Sequence, residues 1–206
     1  MMLKLGDLID FPNSPGQTVR IIWLSQQNNA VTLFRVNQVN ALPELAPAQP
    51  LIEMLLKGEA VFMENDPYLP TVAEAALTPS RKRVRDRAWN LIKPLVENVP
   101  YIFSEERRGK LVQGVVDEAR QGENPSVLRT TKKSIYGYLR RFWQRGMVPN
   151  AVLADYPNSG AKGKTRKAST KKRGRPRKYG HAAGINVTES IRKTFRVGFL
   201  RCYASD

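Results

Sequence analysis

The chain has 206 residues, 41% of them hydrophobic and 25% charged, enough for one domain or two to three small ones with modest cores and too few for a large enzyme. Its 34 Lys and Arg against 18 Asp and Glu leave a net charge of +16, which points to a polyanionic partner. One cysteine, Cys202, excludes an internal disulfide framework, no CxxC or His/Cys cluster offers a structural zinc site, and no run of about 18 apolar residues is available to span a bilayer.

Residues 1–78 hold 4 basic and 8 acidic residues, a net −4, whereas residues 79–206 hold 30 and 10, a net +20. Within the basic part, residues 161–180 contain ten Lys or Arg and no acid. The N-terminus MMLKLGDLIDFP carries acids where a signal peptide would be uninterruptedly apolar, so the expected location is the cytoplasm, in association with the nucleoid.

In chain order, LIDF, TVRIIWLS and AVTLFRV are β-rich runs separated by the turn signals NSPG and QQNN, and the Asn28-Asn29 pair predicts a hairpin. LPELAPAQP reads as a Pro/Ala connector, followed by a short helix over Leu51–Lys57 that Gly58 ends, and by a last strand AVFM. Residues 1–70 are thus expected to form a small antiparallel β domain.

A helical block follows. Thr78 or Ser80 would cap the first helix, whose stripe is Val84, Ala88, Leu91 and Leu95, and Pro94 should kink or shorten it. Ser104 opens a second helix burying Leu111, Val112, Val115, Val116 and Ala119, and QGENPS ends it. A third, from Thr130 or Thr131 to Gly146, gathers Ile135, Tyr138, Leu139, Phe142 and Trp143 on a core side and Lys133, Gly137, Arg140 and Gln144 on a cationic side, flanked by Tyr136 and Arg141. After an irregular stretch a final helix starts at Thr188 and passes through Ile191, Phe195 and Leu200. The expected fold class is α+β multidomain: the β domain, a three-helix helix-turn-helix domain over residues 79–147, a basic extended linker with an AT-hook-like motif over 148–186, and the start of a second helical domain over 187–206.

A helix-turn-helix unit puts the first turn of its last helix against base edges in the major groove. Thr131, Lys132, Lys133, Ser134 and Tyr136 would be those readers, with Arg140, Arg141, Gln144 and Arg145 placed for phosphates. The bland alternative is an ordinary three-helix bundle with a solvated basic side; the net +20 of this half favours DNA. KKRGRPRK, residues 171–178, adds a second signal. Gly174 lets the backbone lie deep in a minor groove about 6 Å wide. Pro176 keeps the chain extended, and Arg173, Arg175, Arg177 and Lys178 can then follow the groove floor of A·T-rich DNA. The alternative there is a basic linker that touches phosphates indiscriminately.

Groups that could converge for catalysis are scarce. His181 is the only histidine and has no nucleophile partner in sequence. GAKGKT at 160–165 lacks the GxxxxGK[ST] spacing of a phosphate loop, and Cys202 reads as a small buried or terminal hydrophobe.

The run SIYGYLRRFWQRGMVPNAVLADYPNSGAKGK, residues 134–164, resembles the corresponding segment of TnsB-type transposases, the DNA-cutting-and-joining subunit of heteromeric Tn-seven-like, phage-Mu-like transposons. In pattern are Tyr136, Leu139, Arg140, Arg141, Trp143, Gln144, Arg145, Gly146, Pro149, Asn150, Asp155, Tyr156, Asn158, Ser159 and Gly160, with weaker agreement at NDPY (65–68) and YG…VTESIRKTF (179–195). The resemblance implies the transposon-end-binding N-terminal part of such a protein, with double-stranded DNA and other transposition subunits as partners and no membrane. In the family an RNase-H-like core follows, whose three carboxylates hold two Mg²⁺ ions. No such trio stands out in these residues, and VGFLRCYASD departs from the family pattern, so the expectation is a truncated chain that binds ends, uses no cofactor and is not itself an enzyme. The rival reading is a stand-alone AT-hook and helix-turn-helix nucleoid or regulatory protein.

Overall fold

The computed structural model describes residues 2–25, 29–70, 72–122, 129–155 and 185–203. They fall into two compact units, 1–154 and 155–206. The first contains strands β1 (Leu8–Asp10), β2 (Thr18–Ser25), β3 (Ala30–Arg35), β4 (Glu44–Pro47) and β5 (Val61–Phe62), and helices α1 (Ala48–Leu56), α2 (Pro79–Val96), α3 (Glu105–Gln121) and α4 (Lys132–Gln144). The fold is α+β, as the element pattern predicts.

All neighbouring strands run antiparallel in the order β4-β3-β2-β1-β5. β2 and β3 form the expected hairpin, closing at the pair Ser25–Ala30, with Asn29 at a φ of 43°. The connector LPELAPAQP is not irregular, however. It supplies the edge strand β4 and the start of α1, which begins three residues earlier than its apolar pattern suggests. Proline misleads here because both positions tolerate it: Pro47 ends an edge strand, and Pro50 lies in a first helical turn, where no N–H bond is needed.

The two faces of the sheet bury different things. Ile9, Val19, Ile21 and Val31 pack with Ala48 and Leu51 of α1. Leu8, Ile22, Phe34 and Val36 pack with Ala88, Ile92, Val112, Val116, Ile135, Leu139, Phe142 and Trp143 of the helices. A register shift between Ile21 and Trp23 turns the Trp23 ring to the helical side as well, where it meets Phe103 at 6.0 Å between centroids. The expected boundary between residues 70 and 79 therefore marks a change of secondary structure inside one compact unit with a shared core.

Thr78 caps α2, its hydroxyl accepting from the Arg81 N–H, and Pro79 occupies the first turn. Pro94 does not end the helix, which continues to Val96; it lacks the N–H that would donate to Asn90 O, one bond near the C-terminal end. α3 follows Ser104 as expected and buries Val112, Val116 and Ala119, while Leu111 and Val115 are only partly buried. It also buries Arg108, whose Nη1 donates to Phe103 O at 3.1 Å.

α4 ends in a Schellman turn. The N–H of Met147 donates to Phe142 O at 2.9 Å, and Gly146 takes a φ of +84°. A Cβ at Gly146 would also collide with the Leu69 side chain.

In the second unit the described residues form helix α5 (Glu189–Tyr203), preceded by Thr188, whose hydroxyl accepts from the Ile191 N–H at 3.4 Å. Cys202 is exposed in the last turn of it, so of the two readings, a buried or a terminal hydrophobe, burial is the one the structure contradicts; Phe195, Phe199 and Tyr203 are exposed beside it. Among the described residues no helix is long and apolar enough to cross a membrane.

Candidate nucleic-acid interface

α4 is held by its apolar side. Ile135, Leu139, Phe142 and Trp143 are buried, with the Trp143 ring 5.7 Å from Phe34 on the sheet and 6.4 Å from Phe103. Tyr138, expected on that side, is half-buried, and the Arg141 guanidinium lies 6.0 Å over its ring.

The first turn of the helix is the open end. Thr131 caps it, its hydroxyl accepting from the Ser134 N–H at 3.2 Å and lying 3.0 Å from the Ser134 hydroxyl. Arg129, Lys132 and Lys133 are exposed around that cap, and no acid occupies the turn. This arrangement is electrostatically inverted. A helix N-terminus carries a partial positive charge and is stabilised by anions, by about 0.3–1 kcal/mol each on a surface. α2 shows the same inversion, with Arg81, Lys82 and Arg83 early in the helix and no acid in the first turn. α3 and α5 begin conventionally, with Glu105 and Glu106 in one and Glu189 in the other. Two helix ends of the first unit thus lack an acid in the first turn, although at α2 the Glu74 carboxylate of the preceding 3₁₀ turn lies 3.5 Å from Lys82.

The structure divides the residues expected to contact phosphates. Arg140 donates from Nε to Ala41 O at 3.1 Å and lies 5.7 Å over the Tyr136 ring. Gln144 donates from Nε2 to Val36 O at 2.7 Å, and Arg145 donates from Nη1 to Leu153 O at 3.1 Å. The side of α4 that reads as simply cationic in the sequence is therefore docked on the loop after β3 along its second half. Only its first turn, with Lys132 and Lys133, stays open. The minor-groove candidates Arg173, Gly174, Arg175, Pro176, Arg177 and Lys178 lie outside the described residues, as do His181 and GAKGKT.

Sequence reasoning missed the polar anchor beneath α4. Arg20 is 1% exposed and belongs to a cross-strand row, Leu8–Arg20–Phe34, that faces the helices. Its Nη1 donates to Gly6 O at 3.0 Å and pairs with Asp66 at 2.6 Å, and its Nη2 donates to Gln144 O at 2.9 Å. Asp66 also accepts from the Tyr68 N–H at 2.9 Å, so residues 66–68 form an Asx turn that aims the carboxylate at Arg20. The available signal was a charge at inward parity in TVRIIWLS.

A second polar cluster ties the 3₁₀ turn Glu74–Ala76 to α2. Arg85 pairs with Glu74 and with Asp86, the latter at 2.7 Å, and donates to Asn150 Oδ1 at 2.6 Å. The hydrogen bond from Arg85 holds the Glu74 carboxyl below its usual range, and the same bond raises Arg85.

The comparisons with known proteins agree on one relationship. The family described as TnsB second domain matches residues 85–156, from the second turn of α2 to just beyond α4. Transposon Tn7 transposition protein TnsB of Escherichia coli is 31% identical over 198 residues, which cover 95% of this chain. Along nearly its whole length the chain is thus similar to a TnsB-type transposase N-terminal region. It spans 26% of the length of that relative. The Mg²⁺ ions that the family's chemistry implies have no fitting donor set among the described residues, where no group of three or more His, Cys, Asp or Glu is placed to hold a metal ion. No step of strand transfer is therefore assigned to these residues.

Proposed function

We propose that the chain binds double-stranded DNA at transposon ends as part of a transposition system. α2, α3 and α4 act as a helix-turn-helix unit, and the first turn of α4 enters the major groove. The observation that carries this reading is the pair of cation-led helix ends on a TnsB-type scaffold: Arg129, Lys132 and Lys133 at α4, and Arg81, Lys82 and Arg83 at α2. Thr131, Lys132, Lys133, Ser134 and Tyr136 meet base edges. α2 crosses the backbone, and Arg141 contributes to phosphates. The sequence 171–178 follows the adjacent A·T-rich minor groove, a reading that rests on its Gly-Arg-Pro core. Other transposition subunits, as partners of this chain, follow from the relationship to TnsB alone.

The test is selection of duplexes from a random pool by the purified chain, followed by measurement of affinity against salt. A preferred core sequence is expected, with log K falling against log salt at a slope of about −5 to −7 for some 6–8 neutralised phosphates. Lys133→Ala should cost about 1–3 kcal/mol on the preferred core and relax base choice at one position. Recovery of many A·T-rich duplexes without a core would favour the stand-alone AT-hook protein instead, and a slope near −1 would remove the extended interface.

A further inference from the structure

The established relationship and the proposed interface leave open what the sheet does for α4. We propose that the sheet sets the aim of the DNA-facing turn of α4, with Arg20 as the positioning residue. This inference rests on the DNA-end reading and extends it to residues that do not touch DNA.

Three directional bonds fix the second half of the helix to the sheet and the loop after it. Arg20 Nη2 holds Gln144 O, the Gln144 side chain holds Val36 O, and Arg140 Nε holds Ala41 O. Residues 140 and 144 are one turn apart, so both side-chain bonds lie on one face and resist rolling of the helix about its axis. The Arg20 bond grips the last helical residue and resists tilting. Arg20 in turn is fixed by Asp66 and Gly6 O.

Stability alone gives little reason for this arrangement. A guanidinium stands in an otherwise apolar row with its Nε unpartnered among the described residues, where well-packed apolar residues in place of a buried ion pair are often neutral or stabilising. Directional bonds do what apolar packing does not: they select one helix orientation. Leverage makes that selection matter at the other end. Thirteen residues of α4 span about 18 Å between first and last Cα at 1.5 Å per residue, so a tilt of about 10° at Gln144 moves Lys132 by about 3 Å. Hydrogen bonds to base edges do not survive that displacement.

The experiment uses the full chain and two duplexes: the one recovered by selection and a shuffled duplex of the same composition. The paired variant Arg20→Met/Asp66→Leu replaces the ion pair by apolar volume, and Gln144→Leu removes only the bond to Val36. Both are compared with wild type for affinity, salt slope and Tm. The expected result is a drop of about tenfold in the ratio of selected to shuffled affinity for the paired variant, and of several-fold for Gln144→Leu. Affinity for the shuffled duplex and the salt slope should stay as in wild type. An unchanged ratio in either variant that remains folded overturns the proposal. Equal loss on both duplexes with a shallower slope also overturns it, because Arg20 or Gln144 would then serve the phosphates and not the aim of the helix. A wild-type chain with no preference between the duplexes defeats the DNA-end reading itself, and this proposal with it.

Discussion

Gly137 lies one turn beyond Lys133 in α4, at a helical position where nothing inside the protein calls for glycine. A Cβ there meets no atom within 4 Å, and the same is true of Gly114 in α3. Alanine at either position should therefore stabilise the fold by about 0.5–1 kcal/mol, because glycine loses more backbone freedom on helix formation. That corresponds to a rise in Tm of about 1–4 °C for a chain of this size. If the open turn of α4 docks in a groove, the two substitutions part company in binding. Gly137→Ala should weaken the selected duplex by several-fold through the added methyl, whereas Gly114→Ala should leave affinity untouched. Thermal melts and titrations of the two variants check this, and wild-type affinity in Gly137→Ala would move the docking face elsewhere on the helix. Gly146 is the contrasting case: its φ of +84° lies in the left-handed region, so alanine there is strained regardless of space.

At the scale of elements, Glu74, Arg85 and Asn150 fasten a junction between the 3₁₀ turn before α2, α2 itself and the turn after α4. Glu74 titrates below its ordinary value of 4.5 in the folded protein because Arg85 donates to it. A carboxyl depressed on folding contributes stability that is fully present above its unfolded pKa and is lost as pH falls through the folded one. The Tm of Glu74→Gln should accordingly lie below that of wild type near neutral pH, and the two should converge in acid below the ordinary carboxylate range. A gap independent of pH would mean that the carboxylate charge contributes nothing to the junction. Elements of this kind were unevenly legible in sequence. β2 and β3 were legible as β-branched and aromatic runs between turn signals, and α2, α3 and α4 by their helical period, with Thr78, Ser104 and Thr131 at the N-cap positions. In α2, however, the buried residues are Ala88, Ile92 and Leu95, and Val84 and Leu91 of the expected stripe are only half-buried. β4 was hidden by prolines that an edge strand accepts. The contacts of Arg140, Gln144 and Arg20 were hidden for a different reason: a helical wheel shows that a polar side exists, but not that a loop more than 95 residues earlier in the chain supplies carbonyls to cover it. The open first turn of α4 was the part of the candidate site legible from sequence, since its cap and its cations are local.

The whole molecule carries its charge unequally, −4 over residues 1–78 and +20 over the rest, and the densest stretch is 161–180. Electrostatics alone would let that stretch bind any duplex, with an affinity set by counterion release. A Gly-Arg-Pro core makes a narrower demand, because arginine gains most where an A-tract narrows the minor groove and deepens its negative potential. The two possibilities separate on flanking sequence. Replacing Arg175 and Arg177 together by alanine should cost most affinity when the selected core is flanked by A·T-rich DNA and little when the flanks are G·C-rich. On the A·T flanks the salt slope should become shallower by about 2, one for each arginine removed. Equal losses on both flanks would make residues 171–178 a plain basic tether. Base recognition would then rest on α4 alone, and the bonds from Arg20, Arg140 and Gln144 that aim it would govern all the discrimination the chain has.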